Sequence, residues 1–213
     1  MKGNGRTLRR DVIHEKVRGV LTYILAEDYS YKTEAYYRIL ALEMEGREVV
    51  PSTKDLLEAY VVPVCLARAE KAGIPVCRWG ISDRRVPLPS ILYGISYFAD
   101  PSEYSIVRDR ETADEVIKYI TGKGKYPFCY QPVPPDAEIV PCVTIFGRTA
   151  GASEPLADLA MQVYRLFRIP LMEIITVYNG GLRLSAITPC WFSKLSREEK
   201  GILQRILSEE CHG

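Results

Sequence analysis

The sequence predicts an α+β (or α/β) protein. An N-terminal strand-helix-strand order implies parallel strands, and the last third follows a β-α-β-β-α order that implies a mixed or antiparallel sheet. Apolar runs of strand length alternate with segments whose apolar residues recur at helical spacing. With 213 residues, 47% apolar and 26% charged, the chain has enough material for one sizeable core or two small lobes.

Residues 1–17 carry Lys2, Arg6, Arg9, Arg10 and Lys16 against Asp11 and Glu15, and read as a basic, solvated tail. The run 20–26 reads as a buried strand. A helix follows, capped by Thr33 and ended by Gly46, with Tyr37, Leu40, Ala41 and Met44 forming its inward stripe at i, i+3, i+4 and i+7. "REVVPS" gives a second strand, parallel to the first because a helix joins them. Ser52 or Thr53 opens the next helix, which Pro63 breaks. Between 73 and 109 the pattern is poor: "IPVCRWGI" reads as a strand, and "ILYGISYF" fits strand or helix. Thr112 and Glu115 form a capping box ahead of Ala113, Val116, Ile117 and Ile120.

The Gly- and Pro-rich segment 123–135 reads as a linker between lobes 18–122 and 136–213 of one domain, 18–213. "EIVPCVTIFG" is then a strand that Pro141 places at an edge. Ser153 caps a strongly periodic helix with Pro155 in its first turn. "PLMEIITVY" and "LRLSAI" flank Asn179-Gly180-Gly181 as a hairpin, and Ser196 and Glu199 form a capping box for a last helix.

Composition narrows the function. Formal charge is +1, from 28 basic and 27 acidic side chains, so no global field recruits nucleic acid or an anionic membrane. No apolar stretch approaches the length of a membrane span and no signal peptide opens the chain, which predicts a cytoplasmic protein. Six cysteines without a C-x-x-C pair read as buried free thiols. Few Asn and Gln beside abundant Glu, Arg and Lys suggest a thermophilic source.

Few residues offer chemistry. "TGKGKYPF" lacks the upstream glycine and the Ser or Thr of a phosphate loop. "FGRTAGASEP" places a glycine-containing loop between strand and helix, so Arg148, Thr149, Gly151 and Ser153 are candidates for a small anionic ligand; the plain alternative is a tight connection. The two histidines, His14 and His212, lie near the termini, which disfavours nucleophilic catalysis and a metal site alike. No cofactor is expected. The adjacent carboxylates Glu27 and Asp28 read as a solvated strand end. In "DYSYKTEAYY", Asp28, Tyr29 and Tyr31 precede the helix and are candidates for ligand or partner contact, while the few nearby cations argue against single-stranded nucleic acid.

"DYSYKTEAYYRILALEMEGREVVPSTKDL" resembles the opening block of the RimK-like ATP-grasp N-terminal domain family, through Tyr29, Tyr31, Thr33, Tyr36, Tyr37, Pro51 and Ser52. "TIFGRTAGASEPLADLAMQVYRLFRIPLMEI" is similar to a second block, through Phe146, Gly147, Pro170 and Leu171. The resemblance covers about half the chain and leaves 64–137 unmatched. It implies a domain that precedes an ATP-grasp ligase joining an amine to an activated carboxylate. The expectation is therefore a free-standing version of that domain without the ATP-grasp module, a non-catalytic accessory or substrate-presenting partner of a RimK-type ligase. The alternative is a small-molecule enzyme or anion-binding protein with its site between Asp28 and the Arg148 loop.

Overall fold

The computed structural model describes residues 13–95 and 99–208. The first unit contains β1 (His14–Arg18), β2 (Leu21–Leu25), α1 (Glu34–Met44) and β3 (Glu48–Val50), followed by α2 (Thr53–Tyr60) and α3 (Val62–Lys71). Its strand order is β1-β2-β3, with β2 and β3 parallel, as the helical crossover requires. The basic segment is not all tail: His14–Arg18 pairs antiparallel with β2, whereas Lys2, Arg6, Arg9 and Arg10 lie outside the described residues.

Thr33 caps α1 by accepting from Tyr36 N–H (3.2 Å), and Gly46 closes it with φ 80°. Its buried face is Ala35, Tyr36, Ile39 and Leu42 rather than the stripe through Tyr37 and Met44, which are 53% and 80% exposed. Both sets satisfy helical spacing; packing against β3 and the following helix α2 decides between them. The break between α2 and α3 falls at Val61, and Pro63 sits in the first turn of α3, where its missing N–H costs nothing.

The middle of the chain holds β4 (Gly80–Ser82), β5 (Ser90–Gly94), β6 (Ser105–Val107), α4 (Arg110–Ile120) and β7 (Phe128–Pro132), with sheet order β4-β7-β5-β6. The segment read as a linker thus supplies β7, an inner strand of this antiparallel sheet. Gly122 and Gly124, both with positive φ, turn the chain from α4 into it. Asp109 rather than Thr112 caps α4, accepting from Thr112 N–H at 2.8 Å.

The third unit runs β8 (Glu138–Ile145), α5 (Glu154–Phe167), β9 (Leu171–Tyr178), β10 (Leu182–Thr188) and α6 (Arg197–Ser208). The antiparallel order β10-β9-β8 leaves Pro141 on an edge strand, as expected. The Ser196–Glu199 capping box forms reciprocally, at 2.6 and 3.2 Å.

A single core runs through all three sheets: Ile24 and Tyr29, Leu56 and Leu66, Ile91 and Cys129, Phe167 and Ile174 belong to one buried cluster. On β5, Ile91 and Tyr93 join that core while Leu92 faces α4, so the strand is buried on both sides. Two links hold the middle sheet to the third unit. Val76 forms a parallel bridge with Leu184, and Ser185 donates its hydroxyl proton to Gln131 Oε1 (2.7 Å).

Candidate functional site

The loop 26–33 leaves the carboxyl end of β2 and enters the N-terminus of α1. A strand-to-helix crossover leaves a crevice at such a strand end. Here the crevice is a cleft of about 290 Å³ between this loop and Trp191, which follows β10. Glu27, Asp28 and Glu34 supply three carboxylates to its lining, Ile13 and Trp191 an apolar wall, and Thr33 a hydroxyl.

Glu27 is only 8% exposed, so it is not the solvated strand end that adjacency suggested. Its Oε1 accepts from Phe192 N–H at 2.6 Å and its carbonyl accepts from Cys190 N–H at 3.2 Å. One residue thereby clamps the β10 exit against β2. Asp28, which lines the cleft, accepts from Ser30 N–H through Oδ1 at 2.8 Å, and this bond fixes the turn.

The tyrosines separate sharply. Tyr29 is fully buried; its hydroxyl accepts from Ala26 N–H (2.9 Å) and donates to the Ile24 carbonyl (3.2 Å), and burial pushes its pKa well up. It shapes the loop from within and is a packing residue, not an exposed contact. Tyr31 is 39% exposed, stands edge-on to Tyr36 with ring centroids 5.3 Å apart, and carries the Lys32 ammonium 5.5 Å from its ring centre. Behind them, a pocket of about 20 Å³ lined by Tyr29, Tyr31, Tyr36 and Tyr60 has room for about one water. The buried Tyr60 hydroxyl has no partner among the described residues, and burial, then the Asp28 charge, push its pKa well up.

The Arg148 loop is built differently. Ile145 and Arg148 exchange both backbone hydrogen bonds (2.9 and 3.0 Å) across Phe146 and Gly147, whose φ values are 51° and 77°: a tight turn of the I′ type in which the amides of Ile145, Phe146 and Arg148 are already spent. Arg148, Gly151 and Ser153 are exposed, Thr149 is half-buried, and Ser153 caps α5 without a side-chain hydrogen bond. A Cβ on Gly147 would lie 2.9 Å from Met161 Sδ and from Tyr164 Cδ1. Gly147→Ala is expected to cost about 1–3 kcal/mol, read from urea midpoints. Neither the cleft at Asp28 nor the pocket at Tyr29 and Tyr31 includes a residue of this loop.

Sequence reasoning missed Glu27 as a clamp and Trp191 as the facing wall. Neither carries a local signal, because the Glu27–Phe192 hydrogen bond that brings this end of the chain to the loop spans 165 positions. Among the described residues no group of three His, Cys, Asp or Glu could hold a metal ion, and no helix is long and apolar enough to cross a membrane.

No protein-family model matches the sequence, and no curated protein matches it. Solved structures do. A RimK domain ATP-grasp protein from Sphaerobacter thermophilus superposes with a TM-score of 0.58 at 19% identity, over 80% of this chain and 73% of that one. D-alanine-D-alanine ligase from Helicobacter pylori superposes with a TM-score of 0.58 at 14% identity, over 79% of this chain and 64% of that one. The ATP-grasp ligase PsnB complexed with a minimal precursor gives a TM-score of 0.52 at 12% identity, over 89% and 80%. This chain has the fold of ATP-grasp ligases. The likeness covers about four-fifths of this chain, so it is not confined to an N-terminal part, which corrects the narrower expectation of an N-terminal domain alone.

Proposed function

We propose that this ATP-grasp-fold protein is a non-catalytic, substrate-presenting partner of a RimK-type amino-acid or peptide ligase, and that its cleft at the β2 end holds the amino group of the substrate. The carrying observation is the charge of that cleft. Glu27, Asp28 and Glu34 line it with no cationic side chain among the lining residues. The N-terminus of α1 contributes roughly half a positive charge, too little to offset three carboxylates, so an ammonium is favoured over a phosphate or carboxylate. Trp191 offers a flat apolar face beside it. That PsnB, a neighbour of the same fold, has been solved with a minimal precursor supports a precursor substrate as the occupant. The lining of the Asp28 cleft does not include Arg148, so this reading places the substrate without that arginine.

Titrating glycinamide or a short peptide amide is expected to shift the backbone amide signals of 27–35 and 191, and the N-acetylated forms are not. Asp28→Asn keeps the acceptor for Ser30 N–H but removes the charge, and should weaken amine binding about 5- to 10-fold. Turnover of a RimK-type ligase from the same source should rise when this protein is added. Equal binding of free and acetylated amines, or ligase turnover indifferent to the protein, would sink the reading.

A further inference from the structure

A second concave surface lies at the other end of β10. It is a groove of about 680 Å³ between the link 76–79, the exit of β7 at Val133 and Pro134, and the β9–β10 hairpin, and Arg78, Trp79, Asn179 and Arg183 line it. Five residue steps along β10 separate Arg183 from Thr188, beyond which Trp191 faces the acidic cleft, a span of about 17 Å for an extended strand. The two surfaces are therefore independent.

The groove has the opposite electrical character. Arg78 and Arg183 are both exposed, and neither has an ion pair or side-chain hydrogen bond among the described residues. They approach one another through Cys77. Arg78 is its chain neighbour, the Cys77 thiol points to the Arg183 carbonyl (4.0 Å), and the Arg183 charge is felt at that thiol. Arg183 lies opposite Val177 in the β9–β10 register, so its side chain leaves the same sheet face as a residue of the groove floor. Trp79 is half-buried and lines the same groove as the two arginines, together with Val133 and Pro134. Asn179 adds an amide at the rim. Two unneutralised forks of donors beside an aromatic plane suit an oxyanion carried on a flat body, because the charge-assisted bonds fix one end and stacking the other. The volume exceeds what a lone inorganic ion fills and falls within the range of small-molecule sites. Glu70, from the end of α3, is the one carboxylate on the lining and opposes an anion there.

We infer that the Arg78–Trp79–Arg183 groove is a binding site for a small organic oxyanion, a carboxylate or phosphate monoester borne on a flat apolar group. Benzoate and phenyl phosphate distinguish the two sources of charge, inorganic phosphate reports the charge without the body, and benzylamine reports the body with the wrong charge. At low salt, benzoate or phenyl phosphate is expected to shift the backbone amides of 76–79 and 177–183, with phosphate at least several-fold weaker and benzylamine silent there. Arg78→Ala and Arg183→Ala should each weaken binding about 10-fold, and Glu70→Gln should strengthen it about 2-fold through loss of a like charge. Amine binding at the Asp28 cleft should survive all three substitutions. If neither aromatic anion moves those amides, if the double arginine variant binds as the parent does, or if inorganic phosphate binds as well as phenyl phosphate, the assignment is wrong.

Discussion

Raising the pH from about 8 to about 10 is expected to remove on the order of 5 kcal/mol of folding stability, a large part of what a domain of this size possesses. Five buried free thiols among the described residues cause it: Cys65, Cys77, Cys129, Cys142 and Cys190, the sixth cysteine, Cys211, lying outside those residues. Burial in apolar surroundings pushes the thiols of Cys77, Cys129 and Cys190 up to about 12 and that of Cys142 to about 11, from an ordinary 9.0, and raises Cys65 further. The charges of Glu199 and Glu173 add to the shift at Cys142, and those of Glu173 and Glu199 at Cys190. These folded values lie above the unfolded one, and the form favoured by folding is the neutral thiol. Stability is therefore complete below pH 9; above it the unfolded chain releases protons that the folded chain keeps, and stability falls until the folded thiols ionise near pH 11–12. Each thiol contributes roughly 1 kcal/mol per pH unit in that window. Urea midpoints measured under reducing conditions at pH 8, 9 and 10 should fall steeply, and Cys65→Ala with Cys129→Ala should reduce the slope by about two-fifths. A midpoint that stays level to pH 10 would refute the account.

Those thiols were legible in the sequence, because six cysteines with no paired spacing leave burial as the ordinary fate. Much of the outer frame was legible for similarly local reasons. Gly46, Ser52, the Ser196–Glu199 box and the Asn179-Gly180-Gly181 turn act through backbone groups within a few positions, and each appears where its chemistry requires. What failed was the choice between local solutions of equal merit. Tyr37, Leu40, Ala41 and Met44 fit the helical period as well as Ala35, Tyr36, Ile39 and Leu42 do, and only the packing of β3 and α2 selects the second set. The segment 123–135 has the composition of a linker, yet its five residues Phe128–Pro132 complete a sheet whose other strands lie up to 50 positions away. The candidate site was half visible: Asp28 was found because it ends a strand before a helix, whereas Trp191 and the buried role of Glu27 arise from a contact across the whole chain.

The largest single-residue effect is expected at Ser185, and it follows from proton counting. Ser185 has one hydroxyl proton, and the Gln131 Oε1 at 2.7 Å can only accept, so that proton goes to Gln131. Tyr93, 2.7 Å from the same Ser185 oxygen, must then be the donor in its own bond, while Gln131 Nε2 donates to the Ser185 carbonyl at 2.8 Å. All three residues are at most 1% exposed, and they join β5 and β7 of the middle sheet to β10 of the third unit. Ser185→Ala keeps the carbonyl but strands the Tyr93 hydroxyl and Gln131 Oε1 in a site closed to water. Each orphaned group costs about 1–3 kcal/mol, so the substitution should cost about 2–5 kcal/mol in urea unfolding. Tyr93→Phe removes only a donor whose acceptor keeps its other bond, and should cost about 1 kcal/mol. The combination Ser185→Ala with Tyr93→Phe should then be less destabilised than the sum of the two, since the second change removes an orphan created by the first. Strict additivity would mean that the three side chains pack as neighbours and do not share a network. A large loss in Ser185→Ala with amine binding at Asp28 intact would further show that the two sheets are held together independently of the cleft.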